Sequence, residues 1–268
     1  MKRFFLLISV LLLACSCLQE KDIQNENILK EFRAALSDLE VKSITMPGSG
    51  KASWEKGDEV LVDNGSELAL FVYNSSRDVF VTERDDFESA SSYKAIFPAS
   101  ACLEDSGSGD IRISVPAEQK LYPNYIKDLV MVADAEADSV FSFQSLFSVV
   151  RVDFPADRLP QGSETELTKV EFTSAQADVA GIASVKDSTF TFVSDSQKKI
   201  SFDCSEKTVG VEAPLYIAIP AQTYQGGFAV DFTFTDNTTF NLSCTEDVTV
   251  MANSVSLTRL LTPWAAHR

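Results

Sequence analysis

Apolar and polar positions alternate strictly along much of the chain, the period of strands with one buried face. Ile111, Ile113 and Val115 alternate with Arg112 and Ser114; Val150, Val152 and Phe154 alternate with Arg151 and Asp153. In the clearest run, Phe228, Val230, Phe232 and Phe234 oppose Asp231, Thr233 and Thr235. Asp236-Asn237 breaks that run, and Phe240, Leu242 and Cys244 resume it. This predicts a β-hairpin with one apolar face and one Thr/Asp face. Phe190 and Phe192, then Ile200, Phe202 and Cys204, predict further strands of the same kind. Leu68, Leu70 and Val72 also alternate, but Phe71 and Tyr73 between them predict partial cover on both faces. Helix-period segments are scarce. Residues 26–39 form the one fair stretch, read as the end of a tether and a first strand. The expected fold class is all-β. With 19 Phe against 11 Gly, thick sandwich cores are favoured over glycine-cornered barrels.

Turn-rich breaks fall at residues 105–109 (DSGSG), 116–123 and 155–164. The last carries Pro155, Pro160 and Gly162 between two strand runs and is the best domain boundary. A length of 268 residues suits one large β domain or two of ordinary size. The expected organisation is a signal segment at 1–14, a tether at 15–28, an N-terminal β-sandwich domain at 29–158 and a C-terminal β-sandwich domain at 165–260.

At the N-terminus, Lys2 and Arg3 precede an apolar run, FFLLISVLLLA, from Phe4 to Ala14. As a helix this run would reach about 16 Å, well short of a hydrocarbon core of about 30 Å. A basic start followed by so short a run reads as a secretory signal. It ends in Leu12-Leu13-Ala14-Cys15, which resembles a bacterial lipobox, in which the chain is cut before the Cys and the thiol takes a diacylglycerol. Cys15 is therefore the expected lipid-attachment residue; Cys17 is the rival, with poorer preceding residues. Ser16 stands where an inner-membrane retention signal would place Asp. Gln19, Glu20 and Asp22 resemble the acidic tether of lipoproteins sent to the outer face of the outer membrane. The expected location is the cell outer membrane, lipid-anchored and surface-exposed.

Charge narrows the function classes. Lys plus Arg is 23 against 39 Asp plus Glu, a net charge of −16 and a pI near 4.5. Such a chain repels phosphate backbones, which argues against nucleic acid as a partner, and it has no polybasic patch for anionic lipid. The single His is His267, so the usual triads and acid–base hydrolase sites lack their central residue. The five Cys include no C-x-x-C pair, which argues against zinc. Cys204 and Cys244 share inward parity with Phe202 and Leu242, as buried free thiols or as a disulfide. Asp134, Glu136 and Asp138 would share one face of a strand or could cradle Ca²⁺ in a loop, and read as a solvated acidic loop. Asp63-Asn64-Gly65-Ser66 is a turn without EF-hand spacing, and Glu83, Asp85, Asp86 and Glu88 read as another solvated loop. Asp138-Ser139-Val140 and Asp187-Ser188-Thr189 resemble short bacterial D-[ST]-x O-glycosylation sites. No catalytic residue, metal or cofactor is expected, and the chain is not expected to be an enzyme.

Several segments, in order, resemble the fimbrillin-like family of Gram-negative outer-membrane lipoproteins, which includes type V pilus subunits. Trp54-Glu55-Lys56-Gly57-Asp58 is similar to that family's W-x-x-G-D entry to a strand, and Tyr93 to Ser100 (YKAIFPAS) to its Y-x-A-x-[YF]-P strand. Val115-Pro116-Ala117-Glu118-Gln119, the apolar strand 129–133 and the series 141–154 follow. Leu167 to Phe172, Val179-Ala180-Gly181, Tyr216 to Pro220, Tyr224 and Phe228 complete the set, so the likeness spans roughly residues 30 to 258. The resemblance implies two transthyretin-like β-sandwich domains and a role in pilus assembly or adhesion by β-strand addition. In such assembly an Arg-specific protease removes the first strand, and an extended strand of the next subunit fills the opened groove. Arg33 is the only Arg between the lipobox and Trp54, hence the candidate protease-processing residue. The implied partners are other fimbrial subunits or a host or bacterial surface ligand, with the membrane reached through the lipid anchor. The competing reading is a glycan-binding lipoprotein of an outer-membrane polysaccharide-uptake system. Its requirement is an exposed aromatic platform, and the chain has two Trp and six Tyr from which to build one.

Overall fold

The computed structural model describes residues 28–36, 54–103, 111–121, 129–152, 154, 166–186, 189–205, 209–210, 215–252 and 255–257. All but one of the regular elements among the described residues are strands. In the first half these are β1 (Glu31–Phe32), β2 (Ala34–Leu36), β3 (Glu59–Asp63), β4 (Leu68–Asn74), β5 (Val79–Val81), β6 (Ser92–Phe97), β7 (Cys102–Leu103), β8 (Ile111–Val115), β9 (Glu118–Lys120), β10 (Met131–Glu136), β11 (Phe141–Ser145) and β12 (Phe147–Val152). Then come β13 (Glu166–Ser174), β14 (Ala180–Lys186), β15 (Thr189–Gln197), β16 (Lys199–Asp203), β17 (Val209–Gly210), β18 (Leu215–Pro220), β19 (Thr223–Tyr224), β20 (Phe228–Phe234), β21 (Thr239–Cys244), β22 (Val248–Thr249) and β23 (Val255–Leu257). Among the described residues the only helical element is a 3₁₀ turn, Ala99–Ala101.

The first sheet is ordered β1-β5-β4-β3-β6-β10-β11-β2. Its two ends belong to one extended segment, because only Arg33 separates β1 from β2. Period 2 decides which side chains face its interior. Val60 and Val62 of β3, Phe71 of β4, Phe80 of β5, Tyr93 and Ala95 of β6, and Phe141 and Phe143 of β11 form one buried aromatic cluster. On β4 the buried residues are Ala69 and Phe71, whereas Leu70 faces outward and is 42 % exposed. The buried face is therefore the one opposite Leu68, Leu70 and Val72. Where both faces of a strand carry apolar residues, alternation does not say which is inside.

Later strands build a second core. Sheet β18-β12-β23 supplies Val150, Val152, Leu215, Ile217 and Ile219; sheet β21-β20-β13-β16-β9 supplies Val170, Phe172, Ile200, Phe202, Phe228, Val230, Phe232 and Phe234. The expected hairpin is present, with β20 and β21 paired from Phe228↔Cys244 to Thr233↔Thr239. The Phe228 to Phe234 face is buried, and its opposite face is half-covered. A third cluster joins Ile96 and Val132 of the first sheet to Ile111, Ile113, Ala183 and Val185 of sheet β15-β14-β8-β7.

Residues 155–165, where the sequence suggests a boundary, lie outside the described residues. Strand pairing spans that position repeatedly: β8 pairs β14, β9 pairs β16, and β12 pairs both β18 and β23. Residues 111–120 and 147–152 are thus built into sheets with strands that follow residue 165.

Candidate functional site: the bridging N-terminal strand

Residues 28–36 are bonded along both edges, by partners far apart in sequence. On one side Ile28 bridges Glu88, the Leu29 N–H donates to the Phe87 carbonyl at 3.0 Å, and the Thr82 N–H donates to the Lys30 carbonyl at 3.1 Å. Glu31 and Phe32 then pair antiparallel with Val81 and Phe80. At Arg33 the segment changes partner. The Phe141 N–H donates to the Arg33 carbonyl at 2.9 Å, and Ala34, Ala35 and Leu36 pair in parallel with Phe141, Ser142 and Phe143. Short lengths of strand alternate sides, so Phe32, Ala34 and Leu36 turn toward the aromatic core while Glu31, Arg33 and Ala35 are exposed.

Phe32 is the anchor of this segment. It is 6 % exposed. Its ring centroid lies 4.1 Å from Phe141 of β11, 5.2 Å from Phe80 of β5 and 5.1 Å from Phe71 of β4. The residue thus touches strands from both sides of the bridge. Trp54 closes the next turn of the groove: its indole N–H donates to the Ala34 carbonyl at 3.3 Å, and its ring meets Phe80, Phe97 and Phe143 edge-on at 5.0 to 5.3 Å. Ion pairs on the solvent side join Glu31 to Arg77 and Lys30 to Asp85. Exposed pairs of this kind contribute about 0–1 kcal/mol each, so burial of Phe32 dominates the docking of the strand.

The other residues singled out by sequence have structural surroundings. The turn before β3 holds Gly57 at φ +92°, and the Asp58 carboxylate accepts the Glu55 N–H at 2.8 Å. Asp63 and Asn64 accept turn N–H groups from Gly65, Ser66 and Glu67 at 2.7 to 2.9 Å. The Gln119 amide donates to the Pro116 carbonyl at 3.1 Å. Asp134 and Glu136 do not lie in the loop expected from sequence but stand exposed on strand β10, with Asp134 directly across from Lys94, and only Asp138 sits in a turn, at φ +61°. No group of three potential metal ligands occurs among the described residues. Arg84 gathers the next acidic stretch, bonding Asp86 at 2.8 Å, Glu67 at 2.6 Å and the Leu68 carbonyl at 3.0 Å. That guanidinium holds the Asp86 carboxyl below the usual range. Cys15, Cys17, Asp187, Ser188, Trp264 and His267 lie outside the described residues.

Cys204 and Cys244 are both free thiols. The Cys204 N–H donates to Thr168 near the Phe234 end of β20, whereas Cys244 pairs with Phe228 at its other end. Six residues of strand span about 20 Å, beyond any disulfide. Shared parity put both thiols on one face but left their separation along it open.

The exposed large hydrophobic residues are Leu70, Val140, Val193 and Met251, none of them aromatic. Trp54 is committed to the bridging strand. Among the described residues, then, no aromatic side chain is fully exposed, though Phe190 and Phe192 are half-buried.

No protein-family profile and no curated protein matches the chain. Solved structures do. A candidate cell adhesion protein from Bacteroides uniformis ATCC 8492 has a TM-score of 0.48 at 13 % identity, over 79 % of this chain and 84 % of that one. A candidate cell adhesion protein from Bacteroides ovatus ATCC 8483 has a TM-score of 0.53 at 12 % identity, over 84 % of this chain and 89 % of that one. At that identity the likeness is one of fold: this chain shares its all-β architecture with the Bacteroides ovatus protein.

Proposed function

We propose that the chain is a cell-surface adhesion protein of the fimbrillin-like kind. It is held at the outer membrane by lipid on Cys15 and joins other fimbrial subunits, or a surface ligand, by β-strand addition. The observation that supports this reading most is the bridging strand. A segment bonded on both edges, with alternate side chains in an aromatic groove, has the form of a strand that an extended strand of another chain can replace. The fold shared with a candidate adhesion protein agrees with it. That no aromatic side chain is fully exposed among the described residues weighs against the glycan-binding alternative.

The change of partner at Arg33 defines what proteolysis there would do. A cut after Arg33 separates the half bonded to β5 from the half bonded to β11. Residues up to Arg33 can then leave with Phe32, while Ala34–Leu36 stay attached to the rest of the chain. The opened surface is the edge of β5 and the space between Phe71, Phe80 and Phe141. An incoming strand therefore enters antiparallel to β5 and places a large apolar residue opposite Phe80.

The test places a specific protease site at Arg33, cuts the folded protein and follows its size by light scattering. Association or strand capture is expected after cutting. A cut chain that stays monomeric and as heat-stable as the uncut one removes strand addition at this site. Replacing Cys15 with Ala is expected to release the protein from membranes or leave its precursor uncut. Normal lipid labelling in that variant, lost instead in Cys17→Ala, would place the anchor on the other cysteine.

A further inference from the structure

Strand β15 ends the sheet β15-β14-β8-β7 and pairs only with β14. Its outer edge meets no other strand among the described residues. Such an edge presents alternate N–H and C=O groups ready to pair with another strand, and proteins normally blunt it with charge, Pro or bulges. From Thr189 to Phe192 the sequence is T-F-T-F, with no charge and no Pro, in a chain of net charge −16. Pairing with β14 is regular over this stretch, from Lys186↔Thr189 to Ala183↔Phe192. It becomes irregular beyond, with register shifts between Ala180 and Ala183 and with Asp195 at φ +51°. The pairable edge is thus short, neutral and bounded.

The stretch is also self-complementary. We infer that Phe190–Phe192 pairs antiparallel with the same residues of a second copy of this chain, joining two four-stranded sheets across a two-fold axis at Thr191. About that axis Thr191 faces Thr191 of the other copy, and Phe190 faces Phe192 twice. Like hydroxyls and aromatic pairs directly opposite are favourable cross-strand neighbours. Phe190 and Phe192 are half-buried, with their rings edge to face at 5.5 Å, and Phe190 stacks on Phe147 at 6.1 Å. The second copy would extend this aromatic floor over the exposed remainder of both rings. Within the paired residues no like charges stand in direct opposition, although both molecules are acidic. Because the contact uses the same edge of both copies, it closes as a dimer at that edge. The irregular pairing beyond Phe192 keeps it short, so the association is weak and concentration-dependent. This inference does not depend on strand addition at Arg33.

Thr191 is exposed, so its substitutions report the contact with little effect on the fold. Cα atoms directly across an antiparallel pair lie about 4.5–5.5 Å apart, within disulfide reach. The full chain carrying Thr191→Cys, purified in detergent and mildly oxidised, is expected to yield a homo-linked tryptic peptide spanning residues 187–198. Its yield should exceed by at least tenfold the homo-linking of Thr239→Cys, an exposed position on another edge strand. In sedimentation, the unaltered chain should approach twice its monomer mass as concentration rises, and Thr191→Lys, which sets two cations against each other, should not. Hydrogen exchange on the unaltered chain should slow at residues 189–192 over the same concentration range. Linking at 191 no stronger than at 239, or identical sedimentation of the unaltered and Thr191→Lys chains, overturns the proposal. Protection of 189–192 that appears only with an added extended peptide overturns it in favour of a foreign strand.

Discussion

Truncating Phe32 measures how firmly the bridging strand is held. The side chain is 6 % exposed and meets three rings at 4.1 to 5.2 Å. Phe32→Ala removes roughly 100 Å² of buried apolar surface, worth about 2.5 kcal/mol at about 25 cal/mol per Å². Lost ring–ring geometry adds about 1 kcal/mol. The surrounding rings belong to three different strands and cannot close the space together, so a loss of about 3–5 kcal/mol is expected. In urea, with a slope of about 1–3 kcal/mol per M, the midpoint should fall by more than about 1 M. Ala35→Ser, one strand position from the core and exposed, should change stability by less than about 0.5 kcal/mol. Hydrogen exchange locates the damage: amides of Val79–Val81 and Phe141–Phe143 should lose protection before those of β20. A loss under about 1 kcal/mol, with protection at both neighbours intact, would refute the claim that Phe32 holds the strand.

Three further outcomes follow from local geometry. Gly227→Ala would place its methyl 1.9 Å from the Cys244 carbonyl oxygen at φ +76°, and should lower the thermal midpoint severely; Gly57→Ala, at φ +92° in open space, should cost only the left-handed penalty of about 1–2 kcal/mol. Burial pushes the Cys204 thiol up to about 12, so the group stays neutral at pH 8, and alkylation followed by mass spectrometry should modify Cys204 only after urea unfolds the chain. Phe232, fully buried and edge-on to Phe154 at 4.7 Å, should lose about 3–5 kcal/mol as Ala, whereas Thr233→Ala should lose less than about 0.5 kcal/mol; equal chemical-denaturation midpoints would mean that both faces of β20 are covered alike.

The hairpin of β20 and β21 was legible because one face is uniformly Phe and Val while the other is Thr and Asp, so period and burial carry the same signal. On β4 the expected partial cover of both faces is present, Leu68 and Val72 being half-buried beside buried Ala69 and Phe71, but only neighbouring strands decide which row lies deeper. Pairing across residues 155–165 was hidden for a similar reason. Ile111, Ile113 and Val115 announce a half-buried strand, but nothing local says that its neighbour is Ala180–Lys186. At the candidate site, the alternation of Phe32, Ala34 and Leu36 could be read from the chain. The change of partner at Arg33 could not, because it depends on where Val79–Val81 and Phe141–Ser145 arrive in space.

The bridging strand also sets an order of events during synthesis. Phe32 leaves the ribosome before either of its neighbours exists, and Ala34 waits for Phe141, far along the chain. Contacts of such high sequence separation form late, because the closure entropy must be met before the contact can contribute. This early strand is therefore among the last to be seated, and until then the aromatic groove and two strand edges stand open. Until then the chain holds an unpaired acceptor and an undocked strand of its own, so the arrival of residues 28–36 decides when the first sheet can close.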